Sequence, residues 1–177
     1  AIGACRQQFV FCDFIQRRKA AHARDDAVVI GRFHLGLDAF DKFVAALKEK
    51  AETMKPGRPF DADTKIGPLV SKKHQAKVLG MYAKAKEEGA NIVFGGGIPD
   101  MPAELKDGCW VQPTIWTGLP ETATVITEEI FGPCCHIQPF DTEEEVLQMV
   151  NANRYGLATS IHTQDIGRAM RLASAIE

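Results

Sequence analysis

The chain has 177 residues, enough for one substantial domain, and its 45% hydrophobic and 25% charged content is that of an ordinary globular protein. A net charge of -2 gives no global attraction for nucleic acid or an anionic membrane, so neither is expected as a partner. No run approaches the ~18 apolar residues that a membrane helix needs.

The first 35 residues differ in texture from the rest. They carry six Lys/Arg (Arg6, Arg17, Arg18, Lys19, Arg24, Arg32) against three Asp. Phe9-Val10-Phe11 and Ala27-Val28-Val29-Ile30 suit short strands, but turn chemistry between them is poor, and a surface arm or disordered lead-in is expected. A basic arm gripping nucleic acid is disfavoured because the arginines are few and diluted by Asp13, Asp25 and Asp26. From Leu37 the pattern sharpens. Leu37, Phe40, Val44, Leu47 and Ala51 recur at helical spacing, and Pro56-Gly57 stops that helix. A Pro- and Asp-rich loop follows from Arg58 to Pro68. Ser71 then caps a second helix on which Val78, Leu79, Tyr82 and Ala85 share a face, and Gly89 ends it.

Asn91 to Phe94 reads as a short strand, Trp110 to Trp116 as β-rich with an irregularity at Pro113, and Cys135 to Phe140 as another strand. Thr142 with Glu145 forms a capping box for a helix over Val146, Leu147 and Val150. Thr159 to His162 is a strand, and an amphipathic helix begins near Asp165. Alternating helices and strands predict an α/β domain with a largely parallel sheet flanked by helices. The predicted organisation is an unmatched segment over 1–35 and one domain over 36–177.

Chemistry-bearing residues are sparse. Gly95-Gly96-Gly97 is followed by Ile98-Pro99-Asp100, which cannot open a phosphate-binding helix, so it reads as a turn. The five histidines (22, 34, 74, 136, 162) make no i, i+4 pair, and no cysteine spacing suits zinc, so no metal is expected. Trp110 and Trp116 read as packing residues. Cys134 and Cys135 read as buried strand thiols, since a nucleophile needs a base or helix N-terminus beside it. With no secretory signal visible and five cysteines, an odd number, a cytoplasmic protein with reduced thiols is expected. Two adjacent carboxylates before an aromatic and a Gly-Pro turn, Glu128-Glu129-Ile130-Phe131-Gly132-Pro133, would on physics alone be a charged loop.

That segment, with Thr127 before it, resembles the E-E-I-F-G-P signature of the aldehyde dehydrogenase superfamily. Phe43-Val44, Gly67-Pro68-Leu69-Val70-Ser71, Glu88-Gly89-Ala90, Gly95-Gly96-Gly97, Val111-Gln112-Pro113-Thr114-Ile115, and Asn151 with Tyr155-Gly156-Leu157 resemble the same family in the same order. Within it, Met101-Pro102-Ala103-Glu104-Leu105, Cys109 to Gly118, Gly132 to Ile137 and Pro139-Phe140-Asp141 resemble the 2-hydroxymuconic semialdehyde dehydrogenases, with the 2-aminomuconic enzymes still open.

The resemblance implies an oxidoreductase that uses NAD to oxidise a small aldehyde to a carboxylate through a cysteine thioester, working as a homo-oligomer when full length. It implies that Glu129 binds the nicotinamide ribose, that Phe131 walls the same pocket, and that His74 and Lys77 stand where further ribose contacts occur. An ionised carboxylate offers two acceptor oxygens to two vicinal hydroxyls, which suits that role. The family's nucleophilic cysteine is expected near Ala27, where none stands, and the segment bearing its general base is not matched. No catalytic residue is therefore assigned. An out-of-frame start combined with truncation is the favoured explanation, and the chain alone is expected to be inactive and to bind NAD weakly or not at all. A non-catalytic α/β binding or assembly module is the competing expectation.

Overall fold

The computed structural model describes residues 10–14, 31–152, 154–156 and 159–177. Six strands form one sheet: β1 (Val10–Phe14), β2 (Gly31–Gly36), β3 (Asn91–Phe94), β4 (Thr114–Thr117), β5 (Cys134–Phe140) and β6 (Thr159–His162), in the spatial order β3-β4-β5-β2-β1-β6. The centre is parallel, β4 with β5 and β5 with β2, and the outer pairs β3·β4, β1·β2 and β1·β6 are antiparallel. Four of the six strands, β2, β4, β5 and β6, consequently share one direction. The helices are α1 (Leu37–Glu52), α2 (Lys72–Glu87), α3 (Thr124–Thr127), α4 (Glu143–Asn151) and α5 (Ile166–Ala175). This is the α/β class expected, with a largely parallel sheet flanked by helices.

Two strands of the sheet stand before Leu37. Gly31–Gly36 is a central strand, paired residue for residue with Cys135, His136 and onward to Phe140, and Val10–Phe14 pairs beside it. These residues are not a lead-in: β2 runs straight into α1 at Leu37, so the strand and helix form one unit. The expected strand at 27–30, Cys5 and the expected nucleophile position near Ala27 lie outside the described residues.

The helix ends follow their local chemistry. The Ser71 hydroxyl accepts from the His74 amide at 3.2 Å, and Thr142 accepts from the Glu145 amide at 3.1 Å. Glu145 reaches back to the Asp141 amide at 2.7 Å, one residue before the position that closes a standard capping box. Gly89 takes φ +96° to leave α2.

Central strands buried on both faces carry apolar residues of both parities. On one face Phe33, Leu35, Ile115, Cys135 and Ile137 pack under α1. On the other, Trp116 and Cys134 join Val78, Tyr82 and Ala85 of α2 and Val125 and Ile126 of α3. Phe140, of the same parity as Cys134, packs with Val146 and Val150 of α4 and Leu172 of α5. Trp110 and Trp116 are buried packing residues, and the Trp110 indole donates to the Leu105 carbonyl at 2.6 Å.

Between the two clusters on this second face lies a polar band that the sequence had left scattered. The strand register sets His34 of β2 and His136 of β5 on the same side, with Arg32 and Gln138. Both imidazoles are buried; His136 Nε2 lies 3.1 Å from Gln138 Oε1, and among the described residues neither ring nitrogen of His34 has a hydrogen-bond partner. Burial, then the Arg32 and His136 charges, holds His34 down to about 3. Burial also lowers His136, to about 4, against the pull of its Gln138 and Trp116 contacts and with Arg32 adding repulsion.

The folded chain thus keeps both rings neutral where an unfolded chain, with imidazole pKa near ~6.5, would protonate them. Their contribution to stability is whole above that value and is lost as pH falls toward the folded values. Urea unfolding at successive pH values is expected to show stability falling from pH ~6.5 to ~4, by up to about 1.4 kcal/mol per pH unit for each histidine, with a shallower slope in His34→Leu.

Candidate functional site

The signature segment is a short loop between α3 and β5, and α2 braces it along its length. At the near end, the Glu88 carboxylate, just past α2, accepts the amides of Thr124 at 3.0 Å and Val125 at 3.4 Å, the open start of α3. Burial would raise the Glu88 pKa, but the hydrogen bonds from the Thr124 side chain and these two amides outweigh it and hold it low. In the middle, Gly132 lies against the fully buried Val78: a Cβ at 132 would fall 2.6 Å from Val78 Cγ1. At the far end, the buried Tyr82 hydroxyl donates to the carbonyls of Gln112 at 3.2 Å and Pro133 at 3.4 Å.

Of the four predicted site residues, the fold brings three together. Lys77 Nζ donates to the Glu129 carbonyl at 3.1 Å and sits 5.5 Å from the centre of the Phe131 ring, within cation–π range. Glu129 is half-buried, and its carboxylate makes no hydrogen bond or ion pair among the described residues. Phe131 is 57% exposed and has φ +58°, the one left-handed non-glycine among the described residues. For a bulky residue that conformation costs on the order of 1–2 kcal/mol, so the surroundings impose it. His74 lies one turn before Lys77 on α2 and is half-buried; its amide, not its ring, makes the recorded bond, to Ser71.

Two supports escaped the sequence reading. Glu88 stood only as part of a family motif, and nothing local marks it as the cap of α3, 36 residues on. Arg154 carried no signal at all. Its Nη2 donates to both carboxylate oxygens of Glu128, at 2.9 and 2.8 Å, and to the Tyr155 hydroxyl at 2.7 Å. Behind Glu128 opens a cleft of about 170 Å³ lined by Arg32, Glu121, Thr127 and Arg154 among others, where Arg32 pairs with Glu121 at 3.3 Å.

Cys134 and Cys135 are buried, as expected of strand thiols, and burial pushes the Cys134 thiol well up, the opposite of what a nucleophile needs. Among the described residues no three His, Cys, Asp or Glu side chains gather as a metal site, and no helix is long and apolar enough to cross a membrane.

A half-buried glutamate and an exposed aromatic ring thus share one short loop before a central parallel strand, with a lysine ammonium of α2 against it. The sequence profile described as "Aldehyde dehydrogenase family" matches residues 15–177, and the chain belongs to that family. The chain is 51% identical over 161 residues to a 2-hydroxymuconic semialdehyde dehydrogenase of Pseudomonas sp. (strain CF600), covering 90% of the chain and 33% of that protein. It is 44% identical over 142 residues to a 2-aminomuconic 6-semialdehyde dehydrogenase of Pseudomonas sp., covering 80% and 29%. Among solved structures, the NAD+ complex of an aldehyde dehydrogenase from Bacillus cereus superimposes with a TM-score of 0.77 at 35% identity, over 82% of this chain and 28% of that one. The chain thus spans about a third of the length of the curated relatives it matches.

The contact between Val78 and Gly132 can be tested directly. Gly132 has no positive φ, so the obstacle to a side chain there is steric. Gly132→Ala is expected to cost about 1–3 kcal/mol in urea unfolding, and Val78→Ala to relieve part of it, giving a coupling of about 0.5–3 kcal/mol in the double-mutant cycle. Strict additivity would mean that the two residues do not meet.

Proposed function

We propose that this chain is the part of an NAD-dependent aldehyde dehydrogenase that presents the nicotinamide-ribose face of the cofactor site, in a protein that oxidises 2-hydroxymuconic semialdehyde to its carboxylate. The observation that carries the cofactor reading is the half-buried Glu129 carboxylate, which has no partner among the described residues, on the loop that also presents the exposed Phe131 ring and is held by Lys77. A carboxylate without a donor is costly to leave half-buried, and two vicinal hydroxyls would supply two donors to its two oxygens. The exposed ring offers an apolar wall to the flat end of the same ligand.

The residues present fit such a cofactor. Glu129 would hold the ribose, Phe131 would limit how far the nicotinamide end can move, and Lys77 would keep both in place through the Glu129 carbonyl and the Phe131 ring. His74, on the same face of α2 one turn earlier, is the remaining candidate contact. When bound, NAD supplies the hydride acceptor for oxidation of the aldehyde.

The semialdehyde reading is supported by the similarity itself, which is 51% to the 2-hydroxymuconic enzyme and 43% to a betaine aldehyde dehydrogenase of Agrobacterium fabrum (strain C58 / ATCC 33970). In the cell we place the parent protein in the cytoplasm as a homo-oligomer. Burial raises the Cys134 thiol, against a nucleophile's role there, and no cysteine stands near Ala27, so the 177-residue chain on its own is expected to release no NADH from an aldehyde.

Titrating the chain with millimolar NAD while recording amide NMR shifts tests the site. Shifts are expected to centre on 74–77 and 128–133 and to disappear in Glu129→Gln. Phe131→Asn, which tolerates left-handed backbone, is expected to leave stability unchanged or raise it by up to about 1 kcal/mol while weakening those shifts. Shifts centred elsewhere, or undiminished in Glu129→Gln, would overturn the assignment.

A further inference from the structure

Glu128 precedes the proposed ribose ligand, yet it does not share that ligand's surroundings. It takes an extended backbone, φ -112° and ψ 146°, as α3 ends. In extended chain, successive side chains point to opposite sides. Glu128 accordingly lines the cleft with Arg154, Arg32 and Glu121, whereas Glu129 does not line it and instead offers its carbonyl to Lys77 of α2. Whatever fixes Glu128 on one side fixes the direction in which Glu129 leaves on the other.

Arg154 is built to do this. One of its nitrogens is shared by both Glu128 oxygens and the Tyr155 hydroxyl, and its guanidinium lies 4.9 Å from the centre of the Tyr155 ring. A guanidinium held over an aromatic ring loses less freedom on pairing than a lysine ammonium would. The bridge spans 26 residues and joins the loop after α3 to the segment after α4.

We propose that Glu128 and Arg154 act as a positioning clamp for the cofactor site, holding the signature loop so that the Glu129 carboxylate faces the ribose. The clamp rests on the cofactor reading of Glu129 given above. Together with Lys77 it grips the loop from both sides: Arg154 through the side chain of one glutamate, Lys77 through the carbonyl of the next.

The pair's side chains are 62% and 47% exposed, so its contribution to global stability is small. Its effect is local, and that separates positioning from simple stabilisation. Amide hydrogen exchange on the full 177-residue chain reads the loop without any ligand. Glu128→Gln and Arg154→Gln are each expected to speed exchange at Glu129, Ile130, Phe131 and Gly132 several-fold, with the melting temperature unchanged. The double variant should match either single variant, because each alone opens the clamp.

In the NAD titration the same variants should weaken binding several-fold while the shifts stay on the same residues. Unchanged loop exchange in the single variants, additive effects in the double variant, or a loss spread over the whole fold would overturn the clamp. A parent chain in which NAD leaves Glu129 unmoved would refute the cofactor reading instead, and the exchange pattern would still decide the clamp.

Discussion

The contact of Val78 with Gly132 is the constraint around which the candidate site is organised. Val78 is fully buried on the inner face of α2, so it cannot give way, and the loop passes it only because residue 132 has no side chain. Helix and loop are thereby set at one distance. The flanking bonds follow from that spacing: Lys77, the preceding residue, reaches Glu129 and Phe131, and Tyr82, one turn on, reaches Pro133. Glu88 extends the brace past the helix end to α3. One helix therefore carries the whole segment from Thr124 to Pro133.

This arrangement explains why the loop tolerates two costs. Phe131 is left-handed and mostly exposed, and Glu129 is half-buried without a donor among the described residues. Neither would persist on a free loop, because relaxing the backbone would relieve both. The core beneath is rigid enough to refuse that relaxation: Trp116 and Tyr82 meet edge to face at 5.9 Å between ring centres, beside Val111, Leu119 and Cys134. Strain held on a packed scaffold is what a preformed ligand surface requires.

What the sequence disclosed was local. Ser71 before α2, Thr142 with Glu145 before α4, Gly89 after α2 and the strand Asn91–Phe94 each write their structure into a few adjacent residues, and each stands where expected. The signature loop was recognisable because its residues are contiguous. What escaped was non-local. Glu88 and Arg154 act across long separations, and a carboxylate or guanidinium far along the chain gives no hint of its partner. The meeting of His34 with His136 depends on the register of β2 with β5, which neither strand's own composition reveals. The same holds for β2 itself: Arg32 to Leu35 read as the end of a lead-in, and only pairing with β5 makes them the middle of a sheet.

A crystal structure of the chain, determined once without ligand and once grown with NAD, tests most directly whether the loop is a preformed cofactor surface. Phe131 should keep its positive φ in both, with Gly132 against Val78, and the nicotinamide ribose should lie against the Glu129 carboxylate. A loop that relaxes without NAD, or a ribose seated away from Glu129, would contradict it.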